Sequence, residues 1–163
     1  MNIKEQIQIL INQFNAKNFS HVILKAKQLQ KKNPGYVILY NLLGSSFLNL
    51  NQFENAKIYF KEGLKLEPNN IALLNNLGMT YKNLLEYKLA TEIFLEIINK
   101  NSSYVNAYVN LGNLKRDINK FEDAINLYQK ALKLDKKNPI IFYCLALAYQ
   151  GLGKFEEAIE YAE

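Results

Sequence analysis

Nucleophiles, bases and metal ligands are nearly absent from this chain. His21 is the only histidine and Cys144 the only cysteine in 163 residues. A histidine-based triad and a Cys/His zinc set are therefore excluded by count, and one thiol closes no internal disulfide. Two acidic pairs, Glu122-Asp123 and Glu156-Glu157, stand close enough to share a proton. Each opens an expected helix, where negative charge complements the partial positive charge of the N-terminus, so they read as caps and not as a catalytic pair. No glycine-rich phosphate loop or nucleophile-base pair occurs. The expectation is a protein that is not an enzyme and holds no cofactor or metal. His21 is expected to be a partly exposed structural side chain. Cys144, with no histidine or helix N-terminus beside it, is expected to be an inert small residue.

Binding chemistry is more plentiful. There are 22 asparagines, and 20 Lys+Arg against 15 Asp+Glu give a formal charge of +5. Only Arg116 among the cations is an arginine, and lysines and acids are interspersed rather than clustered. Phosphate recognition favours arginine forks and concentrated charge, so a nucleic-acid partner is not expected. Residues 33–53 carry no formal charge and are as long as a membrane span. Asn33, Asn41, Ser45, Ser46, Asn49, Asn51 and Gln52 would each need a partner in hydrocarbon, which excludes a span. The N-terminal apolar stretch is too short and interrupted for a signal peptide, so no membrane association and a cytoplasmic location are expected.

The elements that must position these asparagines follow from a period of 34. Gly44, Gly78 and Gly112 keep that step, as do Phe19, Phe53, Tyr87, Phe121 and Phe155, and Ala56, Ala90, Ala124 and Ala158. Within each period two apolar stripes at helical spacing, such as Tyr40, Leu43, Phe47 and then Ala56, Phe60, Leu64, flank a polar break. Each period is a helix pair. Gly44 and Ala56 remove bulk where the paired helices approach, and Tyr40 and Phe60 fill the surrounding space. The first helices are nearly bare of charge while the second carry it, as expected if first helices lie between neighbours.

These columns resemble the tetratricopeptide repeat (TPR) family. The second unit carries Tyr40, Leu43-Gly44, Phe47, Ala56, Phe60 and Pro68; the third carries Leu74, Leu77-Gly78, Tyr81, Ala90 and Phe94. The fourth carries Tyr108, Leu111-Gly112, Ala124 and Tyr128, with Lys115 in place of the aromatic and Lys136 in place of proline. In the first unit Ile9, Phe19 and Pro34 fit, whereas Leu10 and Val22 stand where Gly and Ala belong. The last unit has Phe142, Leu145, Ala146, Tyr149, Phe155 and Ala158. The resemblance implies an all-α, right-handed TPR solenoid of about five antiparallel helix pairs in one domain over 1–163. Its repeats would be about 3–36, 37–70, 71–104, 105–138 and an incomplete 139–163.

The family's usual binding surface is the inner face, which implies a protein or peptide partner. On that reading Ala72, Asn75, Asn76, Met79, Lys82 and Asn83 are exposed in the third unit. Asn106, Val109, Asn110, Asn113, Arg116 and Asp117 are exposed in the fourth. Asn76 and Asn110 share one column and Lys82 and Arg116 another. A row of amides can donate to and accept from a peptide backbone without reading side chains. It is similar to the asparagine ladder of the TPR superhelix in O-linked glucosaminyl transferases. The candidate peptide-binding residues are Asn76, Asn110, Asn75, Asn106, Asn113, Lys82 and Arg116, the two cations favouring an acidic or carboxylate-bearing segment. The carboxylate clamp of co-chaperone TPR domains does not fit, because Asn75 stands at its lysine place and Met79 at its asparagine place.

The function expected is a scaffold that binds a peptide or partner helix in its groove. The alternative is a substrate-recruiting region of a larger enzyme such as a glycosyltransferase or sulfotransferase, since Glu163 falls inside a repeat. Self-association through that C-terminal end would also cover its apolar side. RNA binding by the related pentatricopeptide repeats is disfavoured, because those favour a period of 35 and lack the Gly and Ala columns.

Overall fold

The computed structural model describes residues 2–162. Its helices are α1 (Ile3–Asn15), α2 (Phe19–Lys32), α3 (Val37–Asn49), α4 (Phe53–Leu66), α5 (Ile71–Asn83), α6 (Tyr87–Lys100), α7 (Val105–Asp117), α8 (Phe121–Leu134), α9 (Pro139–Gly151) and α10 (Phe155–Glu160). No strand occurs among the described residues. Odd-numbered and even-numbered helices each begin 34 residues after the one before, as the columns require. Among the described residues no helix is long and apolar enough to cross a membrane. The chain forms two compact units, Met1–Glu86 and Tyr87–Glu163, whose boundary falls between α5 and α6.

In the first unit α3 packs against α1, α2, α4 and α5. With neighbours on several sides it buries Leu39, Tyr40, Leu42, Leu43, Ser46 and Phe47, and a charge on any of these faces would go unsolvated. The absence of formal charge over 33–53 thus has a packing cause. Gly44 allows α4 to come close: a Cβ there would lie 2.5 Å from Cε1 of Phe60. The first hairpin is packed differently. Leu10 and Val22, standing in the Gly and Ala places, are buried, while Ile9 is 45% exposed. Helices α1 and α2 contact each other less than α3 and α4 do.

In the second unit α7 packs against α6, α8 and α9, and α9 against α8 and α10. The ring of Tyr128 occupies the space a Cβ on Gly112 would need, and Ala124, Tyr128 and Ala131 are fully buried. Lys115, at the place of the missing aromatic, points its ammonium toward Asp123, 4.0 Å away.

The turns after the odd-numbered helices share one device. Lys17, Asn51, Leu85, Asn119 and Gly153 all have left-handed backbone, with φ of 57° to 73°. This reverses the chain just past a helix C-terminus, where glycine and asparagine are the easy residues.

Candidate peptide-binding site

The candidate residues lie on two helices, α5 in the first unit and α7 in the second. On α5, Asn76 is half-buried and its Nδ2 donates to Oδ1 of Asn41 at 2.9 Å and to Oγ of Ser45 at 3.4 Å, both on α3. The backbone carbonyl of Asn76 accepts from Oγ1 of the buried Thr80 at 2.7 Å. Asn76 is therefore a held side chain, not a freely rotating one. Asn41 and Ser45 join the site although the residue aligned with Asn76 by repeat is Leu42. The contact runs 35 residues, one off the period, and Asn41 shares its column with Asn75. A comparison along the 34-residue columns does not find it.

Asn75 departs from expectation. The helical spacing places it outward, yet it is 7% exposed, with Nδ2 lying 3.7 Å from Sδ of Met79 one turn on. Asn75 is more deeply set than its neighbour Asn76. Lys82, two turns beyond Asn75, is half-buried.

On α7, Asn106, Asn110 and Asn113 stand four and three residues apart and so share one stripe. Asn106 is exposed and Asn110 half-buried. Asn113 has a structural partner: its Oδ1 accepts from the Tyr128 hydroxyl at 2.8 Å and lies 3.5 Å from Sγ of Cys144. Burial pushes the Tyr128 hydroxyl well above the ordinary tyrosine range and raises the Cys144 thiol, so both stay protonated. Val109, also expected outward, is buried at 9% exposure because α8 and α9 share its cluster. Arg116 lies 3.5 Å from Oδ1 of Asp117, which offsets part of its charge. Among the described residues no group of three His, Cys, Asp or Glu side chains could hold a metal. His21 is exposed at the start of α2.

The tetratricopeptide repeat family profile matches residues 37–70, which span α3, α4 and the turn after them, and a TPR repeat profile matches residues 112–153. The chain is a tetratricopeptide-repeat protein. As a TPR protein it belongs to a class of protein-interaction scaffolds. Its fold is similar to a crystal structure of MamA, 22% identical, over 99% of this chain and 91% of that chain, with a TM-score of 0.77. It is also similar to MamA 41-end from Desulfovibrio magneticus RS-1, 20% identical, over 97% of this chain and 89% of that chain, with a TM-score of 0.79. No curated protein sequence matches this TPR chain.

Proposed function

We propose that this TPR protein is a non-enzymatic cytoplasmic adaptor that grips an extended peptide by its backbone along the amides of α3 and α5. The observation that carries the reading is the Asn76 to Asn41 hydrogen bond. It uses Nδ2 of Asn76 and Oδ1 of Asn41, which leaves Oδ1 of Asn76 as an acceptor and Nδ2 of Asn41 as a donor. Such a pair matches the alternating donors and acceptors of a peptide backbone. A shallow groove beside it is lined by Val37, Ile38, Asn41, Glu67, Asn70 and Ala72, giving apolar walls for side chains. Lys82 on α5 supplies a bias toward acidic segments. The second unit, taken by itself, offers the same chemistry on α7 through Asn106 and Asn110, with a bias from Arg116 that Asp117 moderates. A cytoplasmic setting accords with a lone buried thiol, Cys144.

The test uses a displayed library of unstructured peptides selected on the wild-type chain, with the best binder measured by titration calorimetry. Asn76→Ala should weaken a binder seated on the first unit, and Asn110→Ala one seated on the second, by about 0.5 to 1.5 kcal/mol per lost hydrogen bond. Unchanged affinity for every binder in a double variant that keeps its helical circular dichroism refutes the role of the amides. Failure of the library to yield any binder refutes peptide gripping altogether.

A further inference from the structure

Residues 1–86, the first unit, hold ten lysines, five glutamates and no aspartate. With cations in twofold excess, every carboxylate there could find one. Four of the five have a settled use. Glu5 closes the capping box of α1, Glu54 and Glu86 pair with Lys57 at 2.7 and 3.3 Å, and Glu62 pairs with Lys65 at 2.6 Å. Glu67, only two residues beyond Lys65, is in no ion pair among the described residues.

Its carboxylate is held in place without being neutralised. Glu67 is the C-cap of α4, and its Oε2 accepts from Nδ2 of Asn70 at 2.7 Å. Oδ1 of Asn70 in turn accepts from the Leu73 amide at 3.1 Å, so the start of α5 is capped within the turn. Two periods on, the second unit makes the same turn with Asp135, whose Oδ2 accepts from Nδ2 of Asn138 at 2.9 Å. The turn thus needs one carboxylate oxygen on a short stem. Glu67 is a methylene longer, is exposed where Asp135 is half-buried, and keeps Oε1 without a partner among the described residues. It lines the groove shared with Asn41 and Asn70, whose apolar walls are Val37, Ile38 and Ala72. An acidic side chain entering there would be repelled, and an aliphatic one would desolvate the carboxylate without pairing it. A hydrocarbon stem that ends in a cation satisfies both walls and carboxylate.

We propose that the Glu67 groove is a subsite for one lysine or arginine side chain of the bound peptide, its stem between the apolar walls and its cation on Oε1 of Glu67. The subsite deepens the peptide-gripping reading and depends on it for its occupant. Asn41 both lines the groove and bonds Asn76, so a backbone held by that amide pair has a side chain at the groove mouth. Acidic residues of the same peptide lie toward Lys82, near the other end of α5.

Two measurements separate the subsite from the backbone grip. The first is amide NMR of the labelled full chain, titrated with N-acetyl-lysine methylamide. Saturable shifts should appear at residues 37–41 and 67–72. They should be several times weaker with N-acetyl-norleucine methylamide, which has the stem without the cation, and lost in Glu67→Gln. Glutamine keeps an oxygen for Asn70, so the turn survives and only the charge goes, which an unchanged helical circular dichroism checks. The second is calorimetry with a library-selected peptide that Asn76→Ala weakens. It should carry a lysine or arginine whose replacement by norleucine costs about tenfold or more in affinity. Glu67→Gln should cost about the same, and the two changes together no more than either alone. Absent shifts, equal shifts from the two amino-acid probes, or shifts that Glu67→Gln leaves in place overturn the subsite. So does a peptide that Asn76→Ala weakens and Glu67→Gln does not, in which case the backbone grip stands without it. Glu67-dependent lysine binding in a chain that yields no peptide binder leaves the subsite standing and the grip refuted.

Discussion

Nδ2 of Asn76 donates to Oδ1 of Asn41 across 2.9 Å, joining the amides of α5 and α3 within the first unit. Asn41→Ala removes this partner while leaving Asn76 and its longer contact to Oγ of Ser45 in place. Stability should fall by about 1 kcal/mol for the lost hydrogen bond, and affinity for a selected peptide by a similar amount. Urea denaturation reads the first and calorimetry the second. A rise in affinity would show that Asn76 works better unpaired and that the interhelix bond competes with the ligand.

Gly44 and Phe60 give a sharper test of the helix-pair core. Both are buried, and a Cβ on Gly44 would lie within 2.8 Å of three ring atoms of Phe60. Gly44→Ala should cost about 1 to 3 kcal/mol through overpacking. Phe60→Ala should cost about 3 to 5 kcal/mol through the cavity it leaves. In the double variant the new methyl enters part of that cavity, so its cost should be less than the sum of the two. Strict additivity in urea melts would show that the two side chains do not share one space.

The 34-residue columns made the helix order and the close approaches legible, because Gly44, Ala56, Phe60 and their repeats are each fixed by a contact inside the period. The site was less legible. The 34-residue columns do not point to Asn41, because its bond to Asn76 runs diagonally, 35 residues along, and Asn75 is buried although the helical spacing turns it outward. Asn113 carries the residue type of a ligand-gripping amide but is held by Tyr128, a partner fifteen residues away whose hydroxyl direction no spacing rule supplies. Ile9 fits its column in type and still lies exposed.

Leu85, like Lys17, is a costly member of the left-handed turn column. Its φ is 62° and its side chain is 69% exposed, so a bulky residue takes a strained backbone with little burial to offset it. Asn51, Asn119 and Gly153 fill the same place with residues that tolerate it. Leu85→Asn or Leu85→Gly should raise stability by about 0.5 to 1 kcal/mol, seen as a higher melting temperature. Asn51→Leu should do the reverse. A Leu85→Gly protein that melts earlier would show that this leucine makes a contact worth more than its strain.

Tyr128 predicts the response to alkali. It is fully buried, its hydroxyl is spent on Asn113, and burial holds its pKa well above the usual value. Above about pH 10 a tyrosine in the unfolded chain loses its proton while Tyr128 in the folded chain keeps its own. The unfolded state then binds fewer protons, and stability falls as pH rises. Tyr81 and Tyr161, raised by burial, act in the same direction. Cys144, also raised by burial, starts the decline nearer the ordinary thiol range, about pH 8.5. Lys57 adds to it, because its pKa is raised through the hydrogen bond to Glu54 and the stability it contributes is lost as pH climbs through that raised value. Tyr128→Phe should begin less stable at neutral pH, since Asn113 loses its donor, but lose less between about pH 9 and 11. Melting curves across that range decide the matter: parallel declines in wild type and Tyr128→Phe would mean that the buried hydroxyl is not what alkali attacks.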